Sequence, residues 1–233
     1  MHYLLLLMLA ISVPVTAGEP LRIAVAANFR STLQQISELF EQQTGHQVVL
    51  SSGSTGVLYS QILHGAPFNL FFSADQASTE MLANKDTQRG EPFCYARGTL
   101  VLAGGNGELP QLANPVLSLA IANPTTAPYG VAAMAVLARP EFAAGQGRKL
   151  VRGTNVVQAY QFWHSGGTAL ALVPKALAPS ATNVPADWHA PLDQFAISLT
   201  PVHGNKALES YLKWIRSDTV RALISKAGYQ PCP

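Results

Sequence analysis

The chain has 233 residues, 15 basic and 13 acidic, with only 12% charged and 48% hydrophobic side chains. That balance excludes a polycation built for nucleic acid or an anionic membrane surface, because no dense Lys/Arg run is present. The length suits one large domain or two lobes of about 100 residues each.

The chain opens MHYLLLLMLAISVPVTA, with an apolar core from Tyr3 to Val13 and small residues up to Ala17. This is the pattern of a secretory signal peptide, residues 1–17, and its apolar run is too short to span a bilayer. The basic segment that normally leads such a peptide is weak, since only His2 and the terminal amine precede the core. Cleavage would expose Gly18 rather than a cysteine, so a soluble exported protein is expected and a lipid anchor is not.

Leu21–Ala26 is a short apolar run, as in a buried parallel strand. Phe29, Leu33, Ile36 and Phe40 follow at helical spacing, with Asn28 as the expected N-cap and Gly45 as the stop. Val48–Leu50 returns as a strand, and the turn Ser51–Gly56 holds four hydroxyls, two glycines and no cation. Ser54 or Thr55 is its natural helix cap. Leu58 and Ile62 mark the helix, Gly65-Ala66-Pro67 ends it, and Phe71-Phe72 marks another strand.

A short helix is expected near Ser78–Asn84, then strand residues from Phe93 to Ala103. Gly104–Gly107 is a turn without the GK[ST] of a phosphate loop. Leu117–Ala122 is another buried strand and starts a third strand–turn–helix unit, with Pro128 suited to the first turn of its helix and Val131, Met134 and Ala135 along one face. Gly153-Thr154-Asn155 opens a helix over Val156–Trp163, and Thr168–Val173 is a strand stopped by Pro174. A Pro/Ala-rich loop runs to about Pro191, Phe195–Val202 has the look of a crossing strand, and helices fill Lys206–Ala227.

These units predict an α/β fold of two lobes. Each lobe is a mostly parallel sheet with flanking helices, and a two-crossing hinge joins them with a ligand cleft between. The expected boundaries are 18–97 and 199–233 for the first lobe and 98–198 for the second. Successive helix caps lie outside the carboxyl ends of strands, where open α/β sheets hold ligands. Helix N-termini meeting there suit a compact anion. Cys94 and Cys232, far too distant for a CxxC motif, are a candidate disulfide for an oxidising compartment, with a stabilisation on the order of 2–4 kcal/mol. Two independent thiols are the alternative.

The segments AVAANF (24–29), SSGSTG with LYSQI (51–62), GAPFNLFFSAD (65–75), ANPTTAPYG (122–130) and NVVQA (155–159) together resemble the periplasmic molybdate-binding proteins of ABC importers, members of the type 2 periplasmic solute-binding proteins. The resemblance covers nearly the whole mature chain. It implies a tetrahedral oxyanion, molybdate and with it tungstate, held without counter-charges by hydroxyls and backbone amides. By position it implies Ala27 and Asn28 at the first turn, Ser54 and Thr55 at the second, Tyr129 at the third and the Val156 N–H at the fourth. One departure stands out: some members carry a ligand tyrosine where this chain has Pro174, which has neither N–H nor hydroxyl. Tyr129 can supply that phenol from the opposite wall.

The residue chemistry agrees with the resemblance. Molybdate and tungstate are dianions near neutral pH, so every site group can be a donor. A protonated phosphate would want a carboxylate acceptor, and the four turns contain no Asp or Glu. Asp75, just outside them, suits a structural capping role. The resemblance further implies a monomer that hands its ligand to a membrane permease, with no direct metal ligand, no cofactor, no catalytic residue and no nucleic acid partner. Rival readings are a receptor for sulfate or thiosulfate, a ferric-ion receptor and, further off, a secreted hydrolase. The last lacks a G-x-S-x-G elbow, an HExxH motif and paired carboxylates, and its histidines are scattered.

Overall fold

The computed structural model describes residues 19–86 and 88–233, so the expected signal peptide lies outside the described residues. The elements run β1 (Leu21–Ala26), α1 (Arg30–Thr44), β2 (Val48–Gly53), α2 (Thr55–Leu63), β3 (Leu70–Phe72), α3 (Ala77–Ala83), β4 (Phe93–Gly98) and β5 (Leu100–Gly104). They continue with β6 (Leu119–Ala122), α4 (Pro128–Leu137), β7 (Leu150–Gly153), α5 (Val156–His164), β8 (Leu170–Pro174), β9 (Thr182–Asn183), β10 (Leu192–Ser198), α6 (Lys206–Ile215) and α7 (Asp218–Lys226).

Two five-stranded sheets result, in the orders β2-β1-β3-β10-β4 and β7-β6-β8-β5-β9. In the first, β1 lies parallel to β2 and β3, while β10 runs antiparallel to β3 and β4. The second repeats the plan: β6 is parallel to β7 and β8, and β5 is antiparallel to β8 and β9. β1 is buried at every position except Arg22, and β6 at all four, as parallel strands covered on both faces must be. Each lobe is thus a mostly parallel sheet with one antiparallel strand supplied across the hinge.

The chain crosses between lobes at Thr99 and again between β9 and β10. This moves one expected boundary. Leu192–Ser198 pairs with β3 and β4 in the first sheet, so the second lobe ends near Pro191 and not at 198. The Pro/Ala-rich loop is itself the link, and the strand expected to make the crossing already belongs to the first sheet.

In the first lobe Phe29, Phe72 and Tyr95 cluster with Tyr229, the Phe29–Tyr95 ring centroids lying 4.6 Å apart and Phe29–Tyr229 5.3 Å in an edge-on arrangement. α6 and α7 pack back on α1: Tyr211 and Ser37 share a hydroxyl hydrogen bond of 2.8 Å, and Trp214 Nε1 donates to the Ile36 carbonyl at 3.0 Å. Cys94 and Cys232 are disulfide-bonded, and the backbones of Arg97 and Gln230 pair beside them. The C-terminal segment is thereby fastened along β4. In the second lobe α4 turns a different face inward from the one expected. Tyr129, Ala132, Ala133 and Val136 are buried, while Val131 is 55% exposed. Almost every position of this helix is apolar, so its pattern could not select a face.

Candidate functional site

Four turns at strand carboxyl ends build one small cavity. Its lining includes Ala27 and Asn28 after β1, Ser54 and Thr55 after β2, Ala127 and Tyr129 before and within α4, and Asn155 and Val156 at the start of α5. The six residues singled out from sequence therefore share one cavity, and its four turns lead into α1, α2, α4 and α5. The space is about 10 Å³, enough for roughly one compact group rather than an extended molecule. The side chains lining it carry no formal charge and include no histidine.

Each turn exposes donors for a local reason. Ala27 N–H donates to the Gly53 carbonyl and Phe29 N–H to the Ala26 carbonyl, both at 2.9 Å. The backbone of Asn28 sits between these two anchored amides. At the second turn the extended Ser54 occupies the N-cap position of α2, with no side-chain capping bond. Its hydroxyl oxygen is buried and finds no partner among the described residues. The neighbouring Thr55 hydroxyl oxygen accepts from Ala74 N–H at 3.1 Å, which leaves its proton free to donate.

On the opposite wall Pro128 starts α4, its fixed backbone angle suited to a first helical residue, and Tyr129 follows. Asn155 caps α5 by accepting from Val157 N–H at 2.9 Å and Gln158 N–H at 3.1 Å. The Val156 N–H is thus passed over by the cap and has no intrahelical acceptor. A helix N-terminus with free amides favours negative charge.

Asn28 differs from expectation. α1 begins at Arg30 with Phe29 in the cap position, and Asn28 caps nothing. Its side-chain Nδ2 instead donates to Gln194 Oε1 at 2.8 Å and to the Tyr229 hydroxyl at 3.3 Å. Both amide hydrogens are therefore engaged within the protein, and what Asn28 offers the cavity is its backbone. Asp75 fills the structural role expected of it: its carboxylate accepts from Ser78 N–H at 2.8 Å at the start of α3, outside the cavity lining. Pro174 is the buried last residue of β8, opposite Leu100.

Three residues behind the cavity were not picked out from sequence. Gln194 is fully buried on β10, at the register shift between Gln194 and Phe195. Its Oε1 accepts from Asn28 and from the Tyr95 hydroxyl at 2.9 Å, and its Nε2 donates to the Tyr129 hydroxyl at 3.3 Å. Tyr229 donates its phenol proton to the Asn28 carbonyl at 2.7 Å. Burial raises the Tyr129, Tyr95 and Tyr229 phenols well above their ordinary value, so all three stay protonated and able to donate near neutral pH. No sequence signal marked these three residues: Gln194 follows Asp193 at the polar start of β10, just ahead of Phe195, where the strand was expected to begin.

Two lobes with matching sheets, a double crossing and an uncharged cavity between helix N-termini define a cleft-type ligand-binding protein. The chain belongs to the bacterial extracellular solute-binding protein family, whose pattern matches residues 21–230. It is 37% identical to the molybdate-binding protein ModA of Azotobacter vinelandii over 223 residues, 89% of this chain and 88% of that one. It is 33% identical to the molybdate-binding protein ModA of Rhodobacter capsulatus, over 97% of this chain and 93% of that one. The solved periplasmic molybdate-binding protein of Azotobacter vinelandii superposes with a TM-score of 0.81 at 36% identity, covering 91% of this chain and all of that one. The sulfate-binding protein SubI of Mycobacterium tuberculosis H37Rv shares the fold, with a TM-score of 0.69 at 14% identity.

Proposed function

We propose that this protein captures molybdate, and with it tungstate, in the cavity between its lobes and delivers the anion to an ABC-type importer. The observation that carries the reading is the buried Ser54 hydroxyl, unpartnered in the protein and placed among the cavity-lining turns. A buried hydroxyl without an acceptor or donor costs about 1–3 kcal/mol, a cost that a bound oxyanion would remove.

The donors are the hydroxyls of Ser54, Thr55 and Tyr129 and the backbone N–H groups of Ala27's neighbour Asn28 and of Val156. Ala27 closes the wall with its methyl group, which lets the first turn approach the ligand. A dianion accepts from all of them, and hydrogen bonds to a charged acceptor are about twice as strong as neutral ones. A protonated phosphate would present a donor to a wall that has no carboxylate to receive it. Capture without turnover fits a lining that lacks any acid, base or activated nucleophile.

The setting in which this happens follows from the same reading. The protein acts as an exported periplasmic monomer, its leader removed, which docks on a membrane permease and needs no cofactor. Among the described residues no helix is long and apolar enough to cross a membrane.

A thermal melt with and without molybdate tests the proposal. At a thousandfold excess over the dissociation constant, ligand adds about 4 kcal/mol of stability and raises Tm by several degrees. Unchanged melting with molybdate and tungstate would sink the reading.

A further inference from the structure

Behind the cavity a chain of hydrogen bonds joins the two lobes through the hinge strand β10, and its direction is fixed at one end by a group that can only accept. The Asn28 carbonyl takes the Tyr229 phenol proton at 2.7 Å. The Tyr229 oxygen can then only accept from the Asn28 side chain, so Nδ2 and not Oδ1 faces it, at 3.3 Å. The second hydrogen of that Nδ2 reaches Gln194 at 2.8 Å, which must therefore present Oε1. Tyr95 lies 2.9 Å from that oxygen and 3.0 Å from the Ser73 carbonyl, so its one proton is divided between two acceptors and the orientation rests on the Asn28 side. Gln194 Nε2 is left facing the Tyr129 hydroxyl at 3.3 Å and donates to it.

From this geometry we infer that Gln194 is a positioning residue for anion recognition: by donating to the Tyr129 oxygen it turns the single phenol proton away from the hinge and toward the cavity. This inference rests on the oxyanion reading above. It makes Tyr129 an obligate donor, one more in a wall suited to an anion whose every oxygen accepts. The phenol is seated by shape as well. A Cβ at Gly98, on β4, would lie 1.9 Å from the Tyr129 hydroxyl and 2.8 Å from Gln194 Nε2, so the bare backbone there makes the room that both groups occupy. Because Asn28 and Tyr95 stand in the first lobe and Tyr129 in the second, Gln194 aligns the phenol as the lobes meet.

The test is a double-mutant cycle read by calorimetric titration with molybdate. Four proteins are compared: wild type, Gln194→Met, Tyr129→Phe and the pair together. The inference expects Gln194→Met to weaken binding about tenfold in the wild-type background and by less than about threefold when Tyr129 is already Phe. An equal loss in both backgrounds means that Gln194 does not act through the phenol, and the inference is overturned while the oxyanion reading survives. Wild-type protein that binds no molybdate overturns both. If the Met variant does not fold, Gln194→Glu repeats the comparison. It keeps the acceptor for Asn28 and Tyr95 and changes the atom that faces Tyr129 from donor to acceptor. Its added negative charge is common to both backgrounds, so a larger loss with Tyr129 present supports the inference and an equal loss overturns it.

Discussion

Gly56 N–H, in the first turn of α2, donates across the cleft to the carbonyl oxygen of Thr126 at 2.9 Å, joining one lobe directly to the other. The contact is close: a Cβ on Gly56 would stand 3.2 Å from both the Cα and the carbonyl oxygen of Thr126. A side chain at this position would press on Thr126, so glycine lets the lobes approach this closely.

Gly56→Ala should separate stability from function. Alanine is the better helix residue, by about 0.5–1 kcal/mol, so the melting temperature is expected to hold or rise. The added methyl presses on Thr126 and disfavours closure, and apparent affinity falls by the fraction of closed protein lost, about threefold to tenfold. Titration of the variant alongside a thermal melt checks both signs, and a lower Tm with unchanged affinity would contradict the account.

Ser54→Ala isolates the ligand's own hydrogen bond. The Ser54 hydroxyl has no partner in the protein, so its removal breaks nothing in the ligand-free fold and leaves stability unchanged or slightly raised. Loss of a charge-assisted hydrogen bond costs about 1.5–3 kcal/mol of binding, roughly tenfold to a hundredfold in affinity. Thr55→Val provides the contrast, because the Thr55 oxygen also accepts from Ala74 N–H. That variant should lose stability and affinity together.

The Cys94–Cys232 disulfide closes a loop spanning 138 positions, for which chain entropy gives a stabilisation of about 4–5 kcal/mol. Tyr229 lies three residues before Cys232, and its phenol holds Asn28 by the backbone carbonyl. Reduction is therefore expected to lower both Tm and molybdate affinity, while Cys232→Ser reproduces the effect without reductant. Affinity that survives reduction in a protein still folded by circular dichroism would show that Tyr229 does not need the bond.

Much of this was legible in the sequence. Strand–turn–helix order, the two lobes and the turns around Asn28, Thr55, Tyr129 and Val156 all follow from local patterns, since buried parallel strands and capped helices write themselves in contiguous residues. The Asn28 cap was misplaced because Asn is also able to bond residues far away, here Gln194 and Tyr229, which lie 166 and 201 positions along. Gln194 itself was invisible for the same reason. Only the fold shows that β10 passes behind the cavity, and the boundary near 198 failed because one strand's pattern does not say which sheet it joins.

Four buried phenols, Tyr95, Tyr129, Tyr211 and Tyr229, are raised above the ordinary value of 10.0 chiefly by burial. The folded protein then holds protons that the unfolded chain releases once the pH passes about 10, so this stability is fully present below that value and is lost as the pH rises beyond it. Binding, in contrast, should be flat across the neutral range, because no lining residue titrates there. Denaturation and titration series against pH check the two halves separately, and a binding constant that changes steeply near neutrality would point to a titrating group the cavity does not contain.

The central claim is that an uncharged cavity selects a tetrahedral dianion, and calorimetric titration of the mature protein with molybdate, tungstate, sulfate and phosphate tests it most directly. One-to-one binding of molybdate and tungstate, with phosphate silent and sulfate much weaker, is the predicted result. Sulfate bound as tightly as molybdate would contradict the assigned selectivity, and no heat with any of the four would reduce the converging turns to helix caps.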